Sequence, residues 1–478
     1  MTMSDKAQAY LDDWNTRLEA AEQMVPLIGD LWRRHVPTYV YGTPLYTRSP
    51  IEIIKAHRAA RQLAEKELST RRTLPFLEAV AKLDLRPARI DLGRLVAQHE
   101  DQGGDVGDYV ATELADLVGG EPMRSEPQDV VLYGFGRIGR LLARILVDRM
   151  GGGEKFRLRA TVVRGEKEGD LEKRASLLRR DSVHGPFDGT IVIDEEAHAM
   201  VANGNMIEVL HADAPDRIDY AAKGYKDPIV IDNTGAWRDR DGLSRHLGAG
   251  ASKVILTAPG KGDIPNIVFG VNHERAKDSD VLSAASCTTN AIVPVLKAMN
   301  DQYGIVHGHV ETCHSFTNDQ NLIDNYHPKA RRGRAAPLNM VITETGAAEA
   351  VAKALPELTG KLSGNAIRVP TPNVSLAILN LELEKETTRD DVNAFLRRCS
   401  LRGPLRYQID YLTSPDIVSS DLVGNRAASI IDSEATIADG KRCVVYAWYD
   451  NEFGYACQVI RLLESIAGVR PKAYPAEG

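Results

Sequence analysis

Apolar residues at Leu11, Trp14, Leu18, Ala21, Val25, Ile28 and Trp32 recur three and four positions apart, which predicts an amphipathic helix with one stripe in need of a partner. Pro26 falls inside that stripe and predicts a kink or a split into shorter packed helices. Ser49, Pro50 and Glu52 form a helix start, because the serine hydroxyl accepts from a first-turn N–H and the glutamate returns a bond; the helix is expected over 51–69. Residues 1–100 show no strand-like alternation. The Gly-, Pro- and charge-rich stretches at 101–108 and 119–129 mark a boundary zone, so residues 1–128 read as an all-α N-terminal segment. Packing or oligomerisation is its leading expected role, and regulation or partner binding the second.

From residue 129 the pattern alternates strand and helix. DVVLYGFG, FRLRATVVR, PIVIDNTG, SKVILTAP and VLSAAS are short apolar runs ending in loops, with the helical RIGRLLARILVDRM between the first two. This predicts a parallel sheet with crossovers. Beyond residue 287, longer alternating runs such as IVHGHVETCHSF and RCVVYAWYDN predict a mainly antiparallel sheet with helices on one face.

Composition adds mostly exclusions. The 478 residues carry a net charge of −7 without a basic block, which argues against nucleic acid. A polar, acidic N-terminus and the lack of a long apolar run argue against a signal peptide or membrane span and for a cytoplasmic protein. The five cysteines form no CxxC pair, so neither a disulfide framework nor a metal site is expected.

Two features carry chemistry. Gly134, Gly136 and Gly139 make a GxGxxG between a predicted strand and a predicted helix. The glycines allow a tight turn, close approach of a pyrophosphate and close helix–strand packing, and the helix start offers free N–H groups. A dinucleotide is the expected ligand. Arg164, with Glu166 and Glu168 just beyond, stands where an acidic residue would hold the ribose of NAD, and leans the expectation slightly towards NADP. The second feature is Cys287, at the turn from VLSAAS into a helix, where unpaired N–H groups and the helix dipole favour a thiolate. His314 is the leading candidate for its base; Cys313 alternates to the opposite strand face.

GFGRIGR, DSVHG (181–185), TAPGKGDIP, GVNHE, ASCTTN, TGAA, RVPTPNVS and WYDNEFGY occur in an order that resembles phosphorylating glyceraldehyde-3-phosphate dehydrogenase over about 129–468. The resemblance implies an α/β Rossmann-type dinucleotide-binding domain over 129–286, completed by a C-terminal helix at 452–470. It also implies an α+β catalytic domain with mainly antiparallel sheet over 287–451. It assigns Cys287 as nucleophile and His314 as base. Thr317, Asp319 and Arg368 match the sugar-phosphate pocket, and Ser286, Thr345 and Gly346 the pocket of the attacking phosphate, with Thr288 beside them. Gly134, Gly136, Arg137, Ile138, Gly139, Arg164, Thr257, Asn451 and Tyr455 match the cofactor contacts, Asn451 holding the nicotinamide carboxamide and Tyr455 packing near the ring.

The implied reaction is the reversible oxidative phosphorylation of D-glyceraldehyde 3-phosphate with NAD or NADP, in glycolysis or gluconeogenesis, by a homotetramer. Erythrose-4-phosphate dehydrogenase is the nearest alternative, and a scaffold or regulatory protein acting through residues 1–128 the alternative of another class. Ala291 replaces a second cysteine common after SCTTN, and 323–337 is longer than in many animal members. Residues 1–128 have no counterpart in ordinary members.

Overall fold

The computed structural model describes residues 3–64, 67–119, 126–149, 155–165, 167–344 and 346–475. The chain forms two compact units. The first comprises Met1–Ser125, Leu401–Gly403 and Val469–Gly478, and the second Glu126–Ser400 and Pro404–Gly468.

In the first unit one helix runs unbroken over Met3–Arg33, through Pro26. The expected split does not occur: Ala21, Met24, Ile28 and Leu31 on either side of the proline are buried in one apolar cluster with Phe76, Leu77 and Val80, and this packing outweighs one missing backbone bond. The buried face is also displaced from the expected stripe, since Leu11, Trp14 and Val25 are 51%, 41% and 39% exposed. The start at Ser49 is a full capping box, but the helix ends at Ala59; Arg61–Ala64 and Thr70–Ala81 follow as separate helices, the last capped by Ser69. The single helix expected over 51–69 is therefore divided.

The first unit is mainly helical, with a small sheet that the sequence reading of 1–128 did not include. Thr38–Val40 pairs with Thr43–Pro44 antiparallel and with Ala88–Asp91 parallel. Lys472–Tyr474 from the far end of the chain adds a parallel fourth strand against Ala88–Asp91. Strands of two to four residues are too short to display alternation, which is why they were invisible.

The second unit opens on an eight-stranded sheet ordered Val281–Ser283, Lys253–Leu256, Ile229–Asp232, Gln128–Tyr133, Phe156–Val163, Asn205–His211, Ala199–Ala202 and Ile191–Asp194. The first six strands run parallel and the last two extend them antiparallel. Gln128–Tyr133 is buried along its whole length, as a central strand covered on both faces must be. From it the chain builds outward first to one side and later to the other, so its carboxyl end is the switch point where an open α/β sheet leaves a crevice. This is the Rossmann-type architecture.

A seven-stranded sheet follows: Val341–Glu344, Leu362–Val369, Ile305–Ser315, Ser375–Thr388, Ile437–Tyr449, Ser429–Asp432 and Ile409–Leu412. All its pairs are antiparallel except Ile305–Ser315 with Leu362–Val369 and Ile409–Leu412 with Ser429–Asp432. The helix Cys287–Tyr303 is buried over most of its length, and the helix Phe453–Ile466 ends the unit's secondary structure. Among the described residues no helix is long and apolar enough to cross a membrane, and no cluster of ligating side chains suits a metal ion.

Candidate active site

The glycine turn has the shape its chemistry demands. Gly134 sits at φ +99°, which only glycine adopts freely, and a Cβ at 139 would collide with the Gly134 carbonyl oxygen. A Cβ at 136 would meet nothing within 4 Å, so the backbone there faces open space at the start of the helix Arg137–Arg149. An open peptide edge on a helix N-terminus fits a pyrophosphate. Thr257 connects to this turn through Asn233: its hydroxyl reaches Asn233 Oδ1 at 3.3 Å, and Asn233 Nδ2 donates to the Gly134 carbonyl at 3.4 Å.

The Arg137 side chain is engaged within the protein. The guanidinium donates to both oxygens of Asp181, at 2.9 and 3.1 Å, and through Nε to Glu452 at 2.5 Å. Its fork is fully engaged by carboxylates, which leaves the backbone N–H groups of Arg137 and Ile138 as the donors free for a phosphate. Arg164 follows the strand Phe156–Val163, is exposed, and makes no ion pair among the described residues; its guanidinium lies 6.0 Å from the Trp237 ring centroid. Glu166 lies outside the described residues.

The nucleophile candidate sits where strand becomes helix. Ser286 caps the helix Cys287–Tyr303, its hydroxyl accepting from the Thr289 N–H at 3.0 Å. Ala285 before it has φ +55°, a conformation unusual for a residue with a side chain. That bend is held from both sides: the Ala285 N–H donates to Ser283 Oγ at 2.9 Å, and the Tyr455 hydroxyl donates to the Ala285 carbonyl at 3.1 Å. Strain of this kind, over-determined by its surroundings, aims the next side chain. Tyr455 is buried, and its hydroxyl serves this bend.

Cys287 Sγ lies 3.4 Å from His314 Nε2. His314 Nδ1 lies 2.7 Å from the Ser315 carbonyl, which can only accept, and 2.9 Å from Arg368 Nη1, which can only donate; with the proton on Nδ1 for the shorter contact, Nε2 presents a lone pair to the thiol. Arg368 packs beside the imidazole, with Nη1 2.9 Å from Nδ1 and donating to the Ser315 carbonyl at 3.1 Å and to Thr317 Oγ1 at 3.3 Å. Burial, with the Arg368 charge behind it, pushes the His314 pKa down to about 3. Burial also pushes the Cys287 thiol up, against the Arg368 charge and hydrogen bonds from Thr288. Both shifts favour the uncharged pair and oppose the thiolate preference of the helix start.

The other expected residues divide. Thr317, Asp319 and Arg368 come together, Thr317 donating to Asp319 and Arg332 closing an ion pair on the same carboxylate. Arg368 Nε is buried without a partner, a donor suited to an anion. The Thr288 hydroxyl hydrogen bonds to the buried Tyr449 hydroxyl at 3.0 Å and lies against the thiol. Gly346 is exposed ahead of the helix Ala347–Ala354; Thr345 lies outside the described residues. Asn451 is buried, and its Oδ1 accepts from the Ser375 hydroxyl at 2.8 Å, which turns its NH2 end outward as the free donor.

Arg332, Ser375 and Tyr449 were missed by sequence reasoning. Tyr449 holds the Thr288 and Thr312 hydroxyls at 3.0 and 2.7 Å, and its ring stands edge-on to His314 with centroids 6.0 Å apart. Tyr449 and Ser375 lie inside the motifs WYDNEFGY and RVPTPNVS, which was the only signal available.

Known proteins share this arrangement of sequence. The profile described as "Glyceraldehyde 3-phosphate dehydrogenase, NAD binding domain" matches residues 128–240, and "Glyceraldehyde 3-phosphate dehydrogenase, C-terminal domain" matches 286–451. A glyceraldehyde-3-phosphate dehydrogenase-like protein of Pseudomonas aeruginosa is 58% identical over 460 residues, covering 95% of this chain and all of its own. Glyceraldehyde-3-phosphate dehydrogenase 2 of Nostoc sp. is 40% identical and glyceraldehyde-3-phosphate dehydrogenase 1 of Bacillus subtilis 42% identical. Each of these covers 71% of this chain and 98% of its own. The Pseudomonas protein thus shares most of the first unit, and the other two leave over a quarter of this chain unmatched.

Proposed function

The chain belongs to the glyceraldehyde-3-phosphate dehydrogenase family, and from that premise we propose that it catalyses the phosphorylating reaction: D-glyceraldehyde 3-phosphate, phosphate and oxidised NAD(P) going reversibly to 1,3-bisphosphoglycerate, reduced NAD(P)H and a proton. The observation that carries this reading is a thiol 3.4 Å from an imidazole nitrogen whose lone pair faces it, at the start of a helix.

Cys287 Sγ adds to the aldehyde carbon as its proton passes to His314 Nε2, and the new imidazolium then donates to the oxygen of the adduct. Bound NAD(P) would supply the hydride acceptor; as the hydride leaves the adduct carbon, His314 Nε2 takes back the hydroxyl proton and a thioester remains on Cys287. An oxygen of inorganic phosphate attacks the thioester carbonyl, the C–S bond breaks, and acyl phosphate leaves as the thiol is restored. Thr317 and Arg368 hold the sugar phosphate, with Asp319 and Arg332 fixing Thr317. Ser286, Thr345 and Gly346 receive the attacking phosphate, Gly346 through its backbone. The glycine turn with the N–H groups of Arg137 and Ile138 takes the pyrophosphate, Thr257 braces it, and Asn451 receives the carboxamide beside Tyr455.

Arg164, cationic, exposed and without an ion pair among the described residues, supports a preference for the 2′-phosphate of NADP. A homotetramer is the assembly we infer, supported by apolar side chains left exposed along 322–342: Leu322, Ile323, Tyr326, Leu338, Met340 and Ile342.

Steady-state rates with and without inorganic phosphate test the reaction. Turnover that rises steeply with phosphate is the expected result; equal rates without it favour the hydrolytic erythrose-4-phosphate type. The same assay with NAD and NADP, for wild type and Arg164→Asp, tests the cofactor. The variant should lose about tenfold of its NADP-to-NAD preference, and identical behaviour removes Arg164 from the account.

A further inference from the structure

The stretch DSVHG has no part in the steps above, yet its side chains lie between the two ends of the cofactor site. Asp181 Oδ1 accepts from the Val183 and His184 N–H groups at 2.9 Å each, and the carboxylate receives the Arg137 fork through both oxygens. Arg137 Nε turns to Glu452 Oε1, and Glu452 Oε2 meets His184 Nε2 at 3.0 Å. Four residues thus close a ring, three links running between side chains and the fourth from the His184 backbone N–H to Asp181, that joins three distant segments: the turn after Gly136, the DSVHG loop, and the residue next to Asn451.

The other neighbour of Asn451 is anchored as well. Asp450 accepts from the Glu452 and Phe453 N–H groups at 3.0 and 2.8 Å and from the Gly424 N–H at 2.8 Å. His184 Nδ1 stands 4.0 Å from the same carboxylate. The side chains of Asp181, His184 and Glu452 are 5%, 5% and 13% exposed, so none can swing away without stranding a charge from which water is largely excluded. Burial alone would raise the Asp181 carboxyl; hydrogen bonds from His184, Val183 and Arg137 overcome it and hold the pKa at about 2.

We propose that this ring is a positioning device: it ties the turn that takes the pyrophosphate to the turn carrying Asn451, and so sets where the nicotinamide lies relative to the rest of the cofactor. The proposal rests on the reading that these two turns hold NAD(P). Arg137, Asp181, His184 and Glu452 are positioning residues in it. A planar, bidentate arginine fixes both distance and angle between the elements it bridges, and Glu452 transmits that restraint to Asn451 through one peptide unit.

The test uses the full-length chain and two ligands, the reduced cofactor and its nicotinamide-free counterpart, ADP or ADP with a 2′-phosphate. Both are titrated by fluorescence or calorimetry into wild type and Glu452→Gln. The variant should bind the reduced cofactor about tenfold more weakly while binding of the fragment changes by less than about twofold. Deuterium-labelled cofactor should also reveal hydride delivered to both ring faces, where the wild type uses one. A folded variant that weakens both ligands equally, or neither, overturns the positioning role. His184→Gln, which leaves the Arg137–Asp181 pair intact, carries the same readouts if Glu452→Gln fails to fold. A wild type that binds neither reduced cofactor overturns the functional reading and this proposal with it; normal wild-type binding with unchanged variants overturns only the ring.

Discussion

Each unit of the molecule buries a histidine, and the two are perturbed in the same direction. His57, in the first unit, has Nδ1 2.7 Å from the Ile53 carbonyl and Nε2 2.7 Å from Thr73 Oγ1; burial pushes its pKa down to about 4. His314, in the second, is pushed down to about 3, and only Nδ1 has a backbone acceptor, while Nε2 faces a thiol at 3.4 Å. A depressed pKa in a buried site therefore does not mark function here. What separates the two is the nitrogen left facing a thiol.

Substitution should break the comparison apart. His314→Asn is expected to lower kcat by about 10²- to 10⁴-fold, the usual worth of a positioned general base, with little change in melting temperature. His57→Phe should leave kcat within about twofold but destabilise the first unit by about 1–3 kcal/mol, because the buried imidazole bonds to the Ile53 carbonyl and to Thr73 are lost, Thr73 keeping the Thr70 carbonyl. Steady-state kinetics beside calorimetry separates the two outcomes; comparable kinetic losses in both variants would contradict the distinction.

The pH response sharpens it. Both folded-state pKa values lie below the ordinary 6.5, so the unfolded chain binds the proton more readily and each histidine's contribution is fully present above pH 6.5. It is lost as pH falls through about 4 for His57 and about 3 for His314. For His57 the window corresponds to about 3 kcal/mol. Melting of the first unit should fall across that window in wild type and respond less in His57→Phe, which calorimetry between pH 7 and 4 would record.

A smaller effect separates the units by their ends. The strand Lys472–Tyr474 completes the sheet of the first unit, and the Tyr474 hydroxyl donates to Asp116 at 2.6 Å. Removing residues 470–478 should destabilise the first unit by about 2 kcal/mol, from one buried aromatic side chain and one unpaired strand edge. Turnover should stay within about threefold of wild type, since the segment belongs to the first unit and the thiol and the glycine turn to the second. Limited proteolysis that opens residues 1–119 faster is the expected sign; unchanged protection would show that the strand adds nothing.

The two units were also unequally legible. In the second, strands of three to fourteen residues, glycines at steric necessity and a thiol at a strand-to-helix turn were readable, because each reflects a local requirement. Gly139 is an example: any Cβ there strikes the Gly134 carbonyl. In the first, the strands at 38–40, 43–44 and 88–91 leave no periodic trace, and the one at 472–474 pairs across most of the chain. The face of the long first helix depends on which elements reach it, so a stripe including Trp14 and Val25 was drawn where Met24 and Leu31 are buried.

Within the site, residue types were legible and their partners were not. The Arg137 guanidinium is held by Asp181 and Glu452, the Thr288 hydroxyl by Tyr449, and the Asn451 amide by Ser375. Each of these contacts spans many tens of residues and depends on the closed fold. The resting protonation of Cys287 shows the same limit: the helix start argued for a thiolate, and burial in the assembled pocket argues the other way.

The central claim is that Cys287 becomes acylated and that phosphate releases it. The most direct measurement is mass spectrometry of the intact protein after exposure to D-glyceraldehyde 3-phosphate and NAD(P) without phosphate, followed by peptide mapping. The account predicts one acyl group per chain, on the peptide containing Cys287, absent in Cys287→Ser and discharged when phosphate is added. Turnover with no adduct at Cys287, or an adduct on one of the other four cysteines that discharges at the same rate, would contradict it.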